Sequence, residues 1–296
     1  MRTYPFVWVD VFADRPFAGN ALCVFLDGSG LSDEEMQALA KETNLSETTF
    51  VLPPTRPGAT YRTRIFTPGG ELAFAGHPTL GTAAALALSG KVEGTQLVQE
   101  SLSGLTPLEL GYVGPFLDRV TMEAPPPVFV EAVAPERAAP CLGLEAADLS
   151  LGGHAPEVIF AGVKHLIIPV ASAKTLAGLK PNYAAITELS RSLGCIGAYP
   201  FALLEPDTGA HARARLYAPL FGIPEDAATG SAAAPLGAYM HRHGLLPADR
   251  SDFWYEQGIE MHRPSRLWVD VQEEAGALRV KVGGQVRLVG QGEFSI

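Results

Sequence analysis

Cysteine, basic side chains and long apolar runs are all scarce in this sequence. Cys23, Cys141 and Cys195 are its only cysteines. They are too few and too scattered for a disulfide framework, and no CxxC or Cys/His ligand spacing accompanies them. Such cysteine usage fits a reducing cytoplasm. Lys and Arg number 22 against 32 Asp and Glu, a formal net charge of −10. A surface this acidic repels phosphate backbones and anionic lipid, so neither nucleic acid nor a membrane surface is an expected partner. No stretch reaches the ~20 apolar residues that cross a bilayer. Asp10 interrupts the N-terminal apolar run too early for a signal-peptide core. GxGxxG is absent. GHPTLGT (76–82) has the glycine spacing of a phosphate loop but lacks its lysine, so no nucleotide is expected.

What the sequence does contain is core material. Of 296 residues, 47% are hydrophobic, and the length suggests two domains or one large one. Its 31 glycines and 24 prolines imply many turns and a sheet-rich fold. Phe6–Phe12, Ala21–Leu26, Thr48–Leu52 and Tyr61–Phe66 read as strands bounded by turn residues. Ser32 followed by acidic residues, with Met36, Leu39 and Ala40 at helical spacing, predicts a helix over 33–43. The C-terminal stretch 278–294 reads as two strands around Gly283-Gly284.

Two helices stand out because they have almost no polar face. Residues 79–89 are built from Ala, Leu, Thr and Gly, and a helix apolar all round must be buried on every side. A second small-residue helix follows DAATGS (226–231) and stops at Gly244. The preceding segments match as well: RIFTP (64–68) with RLYAP (215–219), and Leu39 with Leu189. At an offset of 149 residues, His77 falls on Asp226 and Gly81 on Gly230. The repeat is too long for a solenoid and reads as a duplicated domain. The expected boundary lies between Gly111 and Pro127, giving domains 1–115 and 116–283, with 284–296 a candidate to complete the first.

A duplicated fold directs attention to the crevice between its halves. Each half brings the start of its buried helix there, and first-turn amides carry partial positive charge suited to a small carboxylate. Asp226, Thr229 and Ser231 fit that role, and helix capping accounts for the same residues. His77, beside Gly76 at a helix start, can act as acid, base or hydrogen-bond donor, or pack at a turn. The other six histidines, His165 among them, read as structural or surface residues. Glu47 enters a strand among Leu45, Phe50 and Val51. Such neighbours desolvate a carboxylate and raise its pKa toward values useful for proton transfer. The matching stretch Gly197-Ala198-Tyr199 has no acid. A strand-entry site of this kind predicts that Glu47→Gln leaves stability within about 1 kcal/mol.

VDVFADRPFAGN (9–20), NLSETTFV (44–51), RIFTPGGELAFAGHPTLGTA (64–83), DAATGSAAAPL (226–236) and VKVGG (280–284) together resemble the PhzF-like family of phenazine biosynthesis. Its wider relatives are diaminopimelate epimerase and proline racemase. The resemblance spans nearly the whole chain and is loose over 125–190. It implies an α+β fold of two pseudo-symmetric domains, each a mixed, mostly antiparallel sheet curled around a central buried helix. It also implies a cofactor-free isomerase, usually a homodimer, with its small carboxylate substrate in the interdomain cleft. Glu47 matches the family's acid/base glutamate. His77 and Asp226 match its supporting polar residues, with Ser231, Thr229, Gly76 and Gly230 around the ligand. In the epimerase relatives, two cysteines at the helix starts act as opposed acid and base. His77 and Asp226 occupy those regions here, which argues against a two-thiol mechanism.

Overall fold

Alternating apolar residues at the N-terminus fold as β1 (Thr3–Val11), which pairs antiparallel with β2 (Asn20–Phe25). The computed structural model that shows this describes residues 1–149, 151–205, 208–247 and 250–296. A capping box between Ser32 and Glu35 starts α1 (Asp33–Thr43), the helix expected over 33–43. The chain then enters β3 (Thr48–Leu52), parallel to β2. The strand β4 (Tyr61–Thr67) returns antiparallel and turns into the short β5 (Gly70–Leu72). After α2 (Gly76–Leu88), the strands β6 (Gln96–Ser101), β7 (Gly104–Val113) and β8 (Phe116–Glu123) form an antiparallel meander. It joins β4 through a parallel β4–β6 pairing.

The second half repeats this plan. Its strands are β9 (Val128–Ala132), β10 (Glu157–Phe160), β11 (Lys164–Pro169) and β12 (Ala198–Leu203). The rest are β13 (Ala212–Ala214), β14 (Leu216–Ala218), β15 (Ile223–Asp226), β16 (Asp252–Gln257), β17 (Ser265–Glu274) and β18 (Ala277–Gly284). Its helices are α3 (Pro135–Ala138), α4 (Ala173–Ala177), α5 (Tyr183–Leu193) and α6 (Gly230–Arg242). The last strand, β19 (Val286–Ser295), pairs antiparallel with β1. The chain thus forms one unit of Met1–Glu123 with Gly283–Ile296, and another of Ala124–Val282. The first unit runs past the expected boundary at 115, because β8 pairs along β7.

The duplication is explicit in the pairing. From β19 through β1, β2, β3, β4, β6 and β7, neighbours are antiparallel, antiparallel, parallel, antiparallel, parallel and antiparallel. From β9 through β10, β11, β12, β13, β16 and β17 the sequence of orientations is the same. A paired ion bridge repeats too. Arg64 meets Glu71 at 2.7 Å and lies over the Phe66 ring. Arg215 meets Glu225 at 2.8 Å and lies over the Tyr217 ring.

One alignment from sequence is corrected here. The buried helices start at Gly76 and Gly230, an offset of 154 rather than 149. The 3₁₀ turn Pro219–Phe221 lengthens the second hairpin, so the offset grows between the strand and the helix. His77 therefore corresponds to Ser231, not to Asp226, and Gly81 lies inside its helix rather than at the ligand-facing turn.

Every residue of α2 from Gly76 to Leu86 is buried, and strands β1, β2, β3, β6, β7, β8 and β19 pack around it. A Cβ on Gly81 would come within 2.6 Å of Leu22 and 2.7 Å of Val11, so the helix must be slim there. In the second unit, α6 is buried from Ala232 to Met240 against β10, β11 and β17. The outer helix α1 rests on an aromatic layer of Phe25, Phe50 and Phe66, with the first two rings stacked at 4.8 Å. Among the described residues no helix is long and apolar enough to cross a membrane.

Candidate active site

In the first unit, the turn after α1 delivers Glu47 to the position just before β3. Its side chain is 12% exposed, and its Oε2 lies 3.6 Å from Nε2 of His77, itself 5% exposed. Oε2 is buried without a hydrogen-bond partner among the described residues. Burial pushes the carboxyl up from 4.5 to about 7, against a smaller lowering by the Ser46 hydroxyl. The carboxyl at this strand entry is thus desolvated. His77 sits inside the first turn of α2 rather than ahead of it.

Asn20 orients His77. The Asn20 side-chain Nδ2 is 3.4 Å from His77 Nδ1, and Asn20 Oδ1 accepts from the Ser46 hydroxyl at 3.4 Å. An amide nitrogen only donates, so Nδ1 accepts and the proton of a neutral ring sits on Nε2, toward Glu47. A carboxyl near neutrality, next to an oriented imidazole N–H, is suited to taking and returning a proton.

The second unit has no counterpart to Glu47 for a steric reason. Gly197 stands just before β12 as Glu47 stands before β3. A Cβ at Gly197 would lie 2.1 Å from the Tyr217 carbonyl oxygen. No acid fits there.

Instead, the second unit builds a braced turn. Thr229 donates to Asp226 Oδ2 at 2.7 Å. Gln257 Nε2 donates to the Asp226 carbonyl and to Thr229 Oγ1, both at 2.9 Å. Its Oε1 accepts from the Thr229 amide at 3.1 Å and from the Tyr199 hydroxyl at 2.7 Å. The Gln257 amide is saturated, which fixes its orientation. Thr229 is the N-cap of α6, yet its side chain makes no capping bond. The N-cap of α2, Ala75, makes none either. By contrast α1, α4 and α5 are capped by Ser32, Ser172 and Asn182. So capping does not explain Thr229, and neither buried helix has a capping bond from the side chain of its N-cap residue. Ser231, in the first turn of α6, is bonded to His165 Nε2 at 3.1 Å.

The expected residues therefore fall into two groups. Glu47 and His77 meet in the first unit, with Gly76 as the buried first residue of α2. Asp226 and Thr229 meet in the second, with Gly230 as the buried first residue of α6 and Ser231 beside it. Sequence reasoning missed Asn20, Gln257 and His165, whose partners lie far away along the chain. Gln257→Leu is expected to destabilise the second unit by about 2–4 kcal/mol, because it strips partners from several buried groups at once. A thermal melt unchanged by this substitution would show that the turn holds without its brace.

The profile of the family described as phenazine biosynthesis-like protein matches residues 9–292. The trans-2,3-dihydro-3-hydroxyanthranilate isomerase of Pseudomonas aeruginosa is 35% identical over 94% of this chain and 95% of its own length. A crystal structure of a PhzF-family phenazine biosynthesis protein from Bacillus anthracis superposes with a TM-score of 0.90 at 29% identity, covering 100% of both chains. A hydroxyproline epimerase from Agrobacterium vitis shares the fold at a TM-score of 0.66 and 18% identity, over 99% of this chain and 92% of its own. The fold is accordingly α+β of the diaminopimelate epimerase-like kind. On this match in sequence and fold, the chain belongs to the phenazine biosynthesis-like family and is an isomerase of the PhzF type.

Proposed function

We propose that the enzyme moves a proton within a small carboxylate-bearing substrate without a cofactor, and that Glu47 is the group that carries it. As carboxylate, Glu47 removes a proton from an activated carbon. As carboxylic acid, it returns that proton to another carbon of the delocalised system, on the same face. The observation that carries this reading is the desolvated carboxyl of Glu47 beside His77, with a pKa raised to about 7. A group poised there exists in both required states near neutral pH.

His77 and Asp226 polarise the substrate, with Thr229 holding Asp226 in place. Ser231 and the helix starts at Gly76 and Gly230 are proposed to anchor its carboxylate, supported by N-cap residues Ala75 and Thr229 whose side chains make no capping bond. The substrate is proposed to be trans-2,3-dihydro-3-hydroxyanthranilate, the compound in the name of the Pseudomonas relatives. The enzyme is further proposed to be a cytoplasmic homodimer. Its three cysteines, all free and buried, suit that compartment.

Turnover of this compound in deuterium oxide tests the proton shift. A single carrying carboxyl is expected to leave a measurable share of substrate hydrogen at the new position. Complete incorporation of deuterium with inversion at one carbon would instead indicate two opposed bases, as in an epimerase.

A further inference from the structure

His165 is a polar residue at a position where packing alone calls for none. It lies in β11, 0% exposed. In the parallel registers of β2 with β3 and β11 with β12, Leu22 holds the equivalent place in the first unit. Leu22 is also 0% exposed and packs on α2 at Gly81. An aliphatic residue therefore fills this position where nothing else is required of it.

The ring's two nitrogens have unlike surroundings. Nε2 is 3.1 Å from Ser231 Oγ. Nδ1 is buried and has no hydrogen-bond partner among the described residues. The nearby Tyr199 ring meets the imidazole edge-on, and its hydroxyl is committed to Gln257 and Tyr255. Burial keeps the ring neutral by pushing its pKa down to about 3. A neutral imidazole has one proton to place. On Nδ1 it would be an orphaned buried N–H, among the rarest arrangements in folded proteins. On Nε2 it makes the bond to Ser231, and only a lone pair stays unmatched at Nδ1. Ser231 then accepts through one lone pair, and its own hydroxyl proton is free to donate elsewhere.

We propose that His165 is a positioning residue whose Nε2–H···Oγ bond sets the Ser231 hydroxyl as a hydrogen-bond donor toward an anionic oxygen of the substrate. The proposal rests on the reading of Ser231 as a carboxylate anchor. With the opposite tautomer, Ser231 would spend its proton on the ring and present only lone pairs to an anion.

The tautomer is directly measurable on the full chain without substrate. In protein labelled with ¹⁵N-histidine, two-bond ¹H–¹⁵N correlations at pH 7 are expected to show His165 Nε2 protonated and Nδ1 unprotonated. Loss of the signals in His165→Gln assigns them. A proton on Nδ1, or a doubly protonated ring, overturns the proposal. Kinetics with trans-2,3-dihydro-3-hydroxyanthranilate separate it from the reading beneath it. Ser231→Ala and His165→Leu are each expected to raise KM about 10–100-fold with kcat nearly kept, and the double variant to be no worse than Ser231→Ala. His165→Gln, whose amide N–H replaces Nε2–H, is expected to restore most of the loss. An unchanged KM in Ser231→Ala overturns the anchoring role itself. A raised KM in Ser231→Ala beside an unchanged or independently additive effect of His165→Leu overturns the positioning role alone.

Discussion

Glu47→Gln is expected to lower kcat by about 10²–10⁴-fold, the usual contribution of a positioned acid–base group. Glutamine keeps the size of the side chain and its distance from His77 but can neither take nor return a proton at neutral pH. The pH profile adds a second signature. In the wild type, kcat/KM should rise with pH through about 7, as the carboxylate forms. The residual activity of the variant should lack that limb. A variant with wild-type turnover, or one that keeps the limb, would remove Glu47 from the reaction.

The same substitution should stabilise the protein at alkaline pH. The Glu47 carboxyl goes from 4.5 in the unfolded chain to about 7 when folded, chiefly through burial. The folded state therefore binds the proton more tightly. Its favourable contribution is fully present below pH 4.5, declines as pH rises through 7 and is absent above. At 1.36 kcal/mol per pH unit, this shift amounts to about 3 kcal/mol. Glutamine does not titrate, so Glu47→Gln should exceed the wild type by up to about 3 kcal/mol at pH 8, and the gap should close as pH falls below 4.5. This replaces the effect within about 1 kcal/mol expected from the strand-entry position alone. Thermal melts across this range check it; equal melting temperatures at pH 8 would mean the carboxylate is well solvated.

Loss of activity and gain of stability in one variant have a common origin. Removing the carboxyl from water costs folding free energy at neutral pH, and that cost brings its pKa to where proton exchange is easy. The protein keeps a destabilising acid in one unit and, at Gly197, a carbonyl that leaves no room for one in the other.

The features legible from sequence were those with a local or periodic signal. The absence of a polar face marked α2 as buried, and the capping pattern at Ser32 placed α1. Apolar neighbours marked Glu47 as a desolvated acid. The alignment of the halves slipped at the helix starts because the 3₁₀ turn at Pro219–Phe221 adds residues without altering the flanking patterns. Asn20, Gln257 and His165 left no such trace. A buried polar residue bonded across 57, 28 or 66 positions has no period, and only the folded chain brings its partner near. These residues hold the others in place, so they were invisible until the groups they orient had positions.

The account stands most directly on the protonation of one carboxyl, which can be followed in the resting protein. In ¹³C-glutamate-labelled protein, with Glu47→Gln supplying the assignment, the Glu47 Cδ resonance should titrate with a midpoint about 7. A midpoint at the ordinary 4.5 would contradict the account, because Glu47 would then be a plain carboxylate at every pH where the enzyme works.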